Sequence, residues 1–142
     1  MKKQCLGIGI WFYIFLFNHG VTMAKQNTIQ LPQPVTKGKI SLEETISKRR
    51  SQRNFVRKDL TWEQISQLLW AAQGITAKEG NFSFRASPSA GALYPMEIYL
   101  LTKDGLYHYI VQGHQLEQLG QGDLRDSLTN SALGQNSISQ AP

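Results

Sequence analysis

Apolar residues run from Leu6 to Phe17 broken only by glycine, a density found nowhere else in the chain. Lys2 and Lys3 precede this run, and the polar Asn18-His19-Gly20 and then Val21-Thr22-Met23-Ala24 follow it. A basic start, a short apolar centre and a small residue closing a polar stretch make a secretory signal over residues 1–24. Cleavage is expected after Ala24. The run is short for crossing a bilayer, so an uncleaved membrane anchor is the alternative. Residues 25–40 are polar and carry Pro32 and Pro34, which predicts an extended arm.

From Ser41 the apolar spacing becomes helical. Ser41-Leu42-Glu43-Glu44 has the serine-to-glutamate spacing of a capping box and predicts a short helix to about Arg50, with Leu42 and Ile46 inward. Thr61-Trp62-Glu63-Gln64 is a second box. The helix behind it puts Trp62, Ile65, Leu68, Leu69 and Ala72 on one face, stops at Gly74, and leaves Trp70 off that face. The polar stretch from Thr76 to Ala86 is expected to be a loop. Met96 to Thr102 and Leu106 to Val111 flank Lys103-Asp104-Gly105 and predict a β-hairpin. In its second strand Tyr107, Tyr109 and Val111 face one way, and Leu106, His108 and Ile110 the other. Residues 113–122 are read as a turn-rich connector. Asp123 through Leu133 is expected to be a helix with Leu124, Leu128 and Leu133 inward.

Composition narrows the class. The chain has 142 residues, 41% hydrophobic and 18% charged, enough for one globular domain. A formal charge of +5 favours anionic partners; removal of Lys2 and Lys3 with the signal leaves +3. The single cysteine, Cys5, excludes an intrachain disulfide and a thiolate metal cluster. His19 lies in the signal, His108 on a strand, and His114 in a turn without a ligand at metal spacing, so no metal site is expected. Ser89 lies in Ser87-Pro88-Ser89-Ala90-Gly91, which is not the elbow of a hydrolase nucleophile.

Two stretches carry candidate chemistry. Lys48, Arg49, Arg50, Arg53, Arg57 and Lys58 crowd around Ser51, and arginine forks with a hydroxyl suit a phosphate. Cations closing a helix give the same pattern without a ligand. No aromatic lies among the arginines to stack a base, so nucleic acid is not expected. The second stretch, Pro88-Ser89-Ala90-Gly91-Ala92-Leu93-Tyr94-Pro95, is small-residued and leads into the apolar Ile98 to Leu101. Small side chains there let the backbone approach a large flat partner, and an ordinary loop entering a strand gives the same pattern.

In order and spacing, Arg49 to Phe55, the helix from Leu60 to Gly74, and Pro88 to Pro95 resemble the nitroreductase superfamily. Within it the Ser-Ala-Gly-Ala-Leu-Tyr-Pro run and Gly105 to Tyr109 are similar to the SagB-type dehydrogenases. The resemblance extends from about Leu31 to Pro142. It implies an α+β fold, with a mixed or antiparallel sheet flanked by helices, and an FMN-dependent oxidoreductase. It also implies a homodimer with its flavins at the subunit interface.

Residue by residue, the resemblance matches Arg49 and Ser51 to positions holding the FMN phosphate, with Arg50 between them. It matches Arg53 to a cation near the ribityl chain and pyrimidine. Pro88, Ser89 and Ala90 match the segment lying against the isoalloxazine, from the other subunit. The implied chemistry is hydride transfer, with NAD(P)H or a small-molecule or peptide substrate as partner; peptide-acting members oxidise azolines to azoles. No catalytic residue is assigned. Residues 41–142 are then the N-terminal part of such a domain, cut before a C-terminal half, and the protein is expected to be exported or membrane-anchored. Alternatives are a truncated, non-catalytic remnant and a basic extracytoplasmic module for anionic polymers.

Overall fold

The computed structural model describes residues 27–56 and 58–142. The expected signal or anchor at residues 1–24 lies outside them. In chain order the elements are β1 (Thr28–Gln30), α1 (Leu42–Lys48), α2 (Trp62–Gln73), β2 (Ile75–Glu79), β3 (Phe82–Arg85), a 3-10 turn at Ala90–Ala92, β4 (Tyr99–Thr102), β5 (Gly105–Ile110), β6 (Gln115–Gln121), α3 (Arg125–Ser131) and α4 (Asn136–Ser139). The fold is α+β, as expected from the resemblance.

The main sheet has the order β1-β6-β5-β4 and is antiparallel throughout. The β4–β5 hairpin forms where the sequence predicts it, although regular pairing begins at Tyr99 and not at Met96. Thr102 pairs with Gly105, so the turn is Lys103-Asp104 and Gly105 already belongs to the strand. A Cβ at Gly105 would lie 2.3 Å from the Gly120 carbonyl oxygen on β6, so glycine is what permits this approach. The alternation in β5 is as read: Tyr107, Tyr109 and Val111 are buried, while Leu106, His108 and Ile110 are half-buried.

Two stretches correct the sequence reading. Residues 113–122 are not a connector but contain β6, which pairs with both β5 and β1 and carries the fully buried Leu116. Most of the supposed loop from Thr76 to Ala86 is the β2–β3 hairpin, turned at Gly80-Asn81. Within the stretch read as an extended arm, Thr28, Ile29 and Gln30 form a strand that pairs with Glu117, Leu116 and Gln115, and Leu31 is buried.

The core is one cluster: Leu31, Ile65, Leu69, Tyr107, Tyr109, Val111 and Leu116. Helix α2 is capped as its sequence predicts, with Thr61 Oγ1 accepting from Gln64 N and Gln64 Oε1 accepting from Thr61 N. Its buried stripe is Ile65, Ser66, Leu69 and Gln73. Trp62 and Leu68, expected inward, are exposed. Ile65 and Leu69 of this stripe join the core cluster with Tyr107, Tyr109 and Leu116 of the sheet. Trp70 donates from Nε1 to the Ile75 carbonyl at 3.2 Å, closing the turn between α2 and β2.

The outer helices bury less than expected. Leu42 and Ile46 on α1 are 70% and 66% exposed, and Ser41 caps the helix only one way, by accepting from Glu44 N at 3.1 Å. On α3, Leu124, Leu128 and Leu133 are all exposed and Thr129 is the buried residue. No helix of the described residues is long and apolar enough to cross a membrane.

Candidate functional site

The arginine-rich segment begins where α1 stops. Arg49 leaves the helical conformation while its N–H still reaches Thr45 O. Arg50 folds back, and its Nη1 donates to the Ser47 and Arg49 carbonyls at 3.0 and 2.7 Å. That satisfies orphan acceptors at the helix end and complements its dipole. Arg49, Ser51 and Arg53 are exposed, and no side-chain hydrogen bond or ion pair between described residues uses them. Of the neighbouring lysines, Lys48 is paired with Glu44 at 2.6 Å. The segment therefore presents two guanidinium groups and a hydroxyl to solvent from one short stretch of chain.

The small-residue loop is built differently. Its entry is tied to the end of α2, where Gly74 O accepts from Ala86 N at 2.9 Å and Ala72 O accepts from the Ser87 hydroxyl. Ser89 then closes the loop on itself. Its Oγ accepts from Tyr94 N at 2.9 Å and its carbonyl accepts from Ala92 N at 3.1 Å. Gly91, Ala92 and Tyr94 have φ of 63°, 53° and 46°. The glycine takes this left-handed conformation freely, whereas the alanine and tyrosine are strained in it. Such strain persists where surrounding bonds over-determine the backbone, and it gathers at functional sites. Pro88 and Ala90 are exposed and Ser89 half-buried, so the loop presents small groups on a fixed backbone.

The two stretches are not joined directly: no hydrogen bond or ion pair between described residues links 49–53 with 88–90. Two cavities lie elsewhere. One of about 180 Å³ is walled by Leu60, Trp62, Ile65, Leu100 and Leu101, with Asp59, Lys103 and Arg125 among its polar lining. One of about 540 Å³ is lined by Phe55, Val56, Lys58, Asp59, Arg125 and residues 139–142, next in sequence to the arginine segment.

Three features at or near these stretches escaped the sequence reading. Arg85 and Tyr94 brace the loop from β3. Gln73 Oε1, at the end of α2, is buried without a hydrogen-bond partner among the described residues. His114, read as an isolated turn residue, joins Ser66, Tyr109 and Pro32 in a half-buried network. Burial holds its imidazole below the ordinary value of 6.5, against the opposing effect of the Pro32 carbonyl bond. Only the Ala-Leu-Tyr-Pro run signals the first of these; the other two depend on contacts between distant residues. No group of three or more metal-ligating side chains occurs among the described residues.

Residues 46–141 match the model of the nitroreductase family. A curated relative from Methanocaldococcus jannaschii that carries the nitroreductase name is 38% identical over 120 residues; the match covers 80% of this chain and 58% of the relative. A solved structure from Ralstonia eutropha JMP134, also named a nitroreductase, aligns with a TM-score of 0.63 at 35% identity, over 69% of this chain and 46% of that one. Another, from Anabaena variabilis ATCC 29413, aligns with a TM-score of 0.51 at 31% identity, over 55% of this chain and 18% of that one. The chain thus spans only part of each relative's length. The span matched by the family model includes the arginine segment, α2 and the small-residue loop, and the chain belongs to the nitroreductase family.

Proposed function

We propose that this chain forms the phosphate-holding and ring-facing part of an FMN-dependent oxidoreductase of the SagB-type dehydrogenase branch. The observation that carries the reading is the exposed set Arg49, Ser51 and Arg53, unneutralised by any carboxylate among the described residues. Its donor chemistry fits a phosphate monoester: guanidinium forks pair with its oxygens, and a serine hydroxyl adds a neutral donor.

FMN, when bound, supplies hydride transfer between a donor and an acceptor. The chain's own residues supply position and charge. Arg49 and Ser51 hold the phosphate, Arg50 locks the end of α1 that aims them, and Arg53 sets positive charge near the ribityl chain and pyrimidine. Pro88, Ser89 and Ala90 present the fixed small-residue surface to the ring. Because 49–53 and 88–90 share no bond within one chain, a homodimer in which each subunit completes the other's site accounts for both. The electron donor is NAD(P)H or a small-molecule or peptide substrate. The basic and apolar pattern of residues 1–24 supports export or membrane anchoring.

The test is flavin retention. The full chain, mixed with FMN and desalted, is expected to keep the visible flavin band, while the Arg49→Ala/Ser51→Ala double variant loses it with unchanged far-UV circular dichroism. Retention by that variant removes the phosphate assignment. A colourless wild-type chain whose polyphosphate binding weakens steeply with salt supports the basic-module reading instead.

A further inference from the structure

Ser66 and His114 make the contact of a nucleophile and its base, with Ser66 Oγ 2.7 Å from His114 Nε2. Burial rules that use out. Ser66 is 1% exposed, and its hydroxyl donates to the Pro32 carbonyl at 2.5 Å. The rest of the network then has one consistent proton arrangement. Tyr109, 1% exposed, donates its hydroxyl to Nδ1 at 2.7 Å. Nε2 keeps its hydrogen and shares it between Ser66 Oγ and the Pro32 carbonyl, the latter at 3.0 Å. Every donor has an acceptor, and His114 is neutral.

The network joins α2, β5 and the β5–β6 turn to the chain just after β1. The same turn holds β1 through its backbone: Leu31 N donates to His114 O at 3.2 Å, and Gln30 Nε2 to the Gly113 and His114 carbonyls. We propose that Ser66, Tyr109 and His114 form a proton-operated latch that fastens β1 and Pro32 to the domain when His114 is neutral and releases them when it is protonated. A proton added at Nδ1 turns that atom from acceptor to donor. The Tyr109 oxygen must then accept from Nδ1–H, and its own hydrogen turns away and is left without an acceptor in a buried position.

Among the described residues, no counter-charge contacts the imidazolium. Tyr109 is the titratable group that touches the ring. Helix α2 presents Ser66, and its charged residue, Glu63, sits in the exposed first turn. The β1 segment presents Leu31 and the Pro32 carbonyl. On β6 the charged residue is Glu117. On β5, Tyr107 is buried and His108 lies on the other face, held by Glu97 at 2.9 Å. Arg85 acts on Tyr109 and not on the imidazole. The folded chain therefore takes up the proton less readily than the unfolded one. The latch is at full strength above the ordinary imidazole pKa and weakens as pH falls through it.

Amide hydrogen exchange on the full chain tests this. Protection at Leu31 and Gln118, whose N–H groups bond His114 O and Asn27 O, is expected to fall between roughly pH 7.5 and 5, across the ordinary imidazole range. Protection at Gly74 and Ala86, outside the network, should hold steady. Tyr109→Phe removes the hydroxyl whose hydrogen bond favours the neutral ring, so the protection lost over this pH range should be smaller than in wild type. His114→Asn, suited to the φ of 51° there, should abolish the pH dependence. Equal loss at Gly74 and Ala86, or unchanged pH dependence in His114→Asn, overturns the latch. If that variant does not fold, ¹⁵N shifts of the wild-type ring decide: a protonated Nδ1 at neutral pH also overturns it.

Discussion

Tyr94 braces the small-residue loop against Arg85 in two ways. Its hydroxyl accepts from the Arg85 backbone N–H at 3.2 Å, while the Arg85 guanidinium lies 4.7 Å from the centre of its ring. The first bond fixes the loop to β3 and the second fixes the plane of the ring. Tyr94→Phe keeps the ring and loses the hydrogen bond, so urea unfolding should show a loss of about 1 kcal/mol. Tyr94→Leu also loses the cation–π contact, adding about 0.5–1 kcal/mol. Both variants should retain less FMN than wild type if the fixed loop is what receives the ring.

How far the sequence carried depended on whether the deciding forces were local. Helix α2 announced itself through Thr61 and Gln64, which close the capping box three residues apart. Its inner face was less legible, because which stripe is buried depends on where the sheet lies. Thus Trp62 and Leu68 stay exposed while Ser66 and Gln73 go under. Strand β6 hid for a related reason. Gln115-Leu116-Glu117-Gln118-Leu119 lacks strict alternation, and its place between β1 and β5 comes from backbone pairing. The β2–β3 turn did have a signal in Gly80-Asn81, masked by the polar Lys78 and Glu79 and by exposed phenylalanines. At the site, the arginine and small-residue motifs were legible as chemistry. The Ser66–His114 network joins residues 48 apart and left no pattern.

Gly105 tests the close approach of β5 to β6. Gly105→Ala would set a methyl 2.3 Å from the Gly120 carbonyl oxygen, and neither strand can yield without breaking pairs. Its cost should be about 1–3 kcal/mol, as for other overpacked sites. Gly38→Ala is the control. The nearest atom there is 3.9 Å away and the backbone is not left-handed, so its midpoint should stay within about 0.5 kcal/mol of wild type.

Asp123 tests the charge order at the start of α3. Arg125 reaches back with Nε at 2.9 Å and Nη2 at 2.6 Å, and its backbone N–H adds a third bond. The side-chain bonds come first and the backbone bond second in holding the Asp123 carboxyl down to about 2. A carboxyl with a depressed pKa contributes stability above its ordinary value of 3.8 and loses that contribution as pH falls through about 2. Carbon-detected NMR titration should find Asp123 near that value in wild type. Arg125→Gln should return it toward 3.8. An unchanged titration in the variant would assign the shift to some other group.

Gln73 separates a structural fault from a binding function. It is 5% exposed on the buried stripe of α2, and its Oε1 has no hydrogen-bond partner among the described residues. A buried acceptor left unpaired costs about 1–3 kcal/mol, and methionine fills similar volume without that cost. Gln73→Met should therefore raise the urea midpoint of the chain, by about 1 kcal/mol or more in stability. The flanking carbonyls of Ala72 and Gly74 carry the bonds that hold the small-residue loop, and the substitution leaves both intact. Flavin retention should then be unchanged. A variant that gains stability but no longer retains flavin would show that the amide serves the cofactor site. A variant that loses stability would show that the amide is paired in solution.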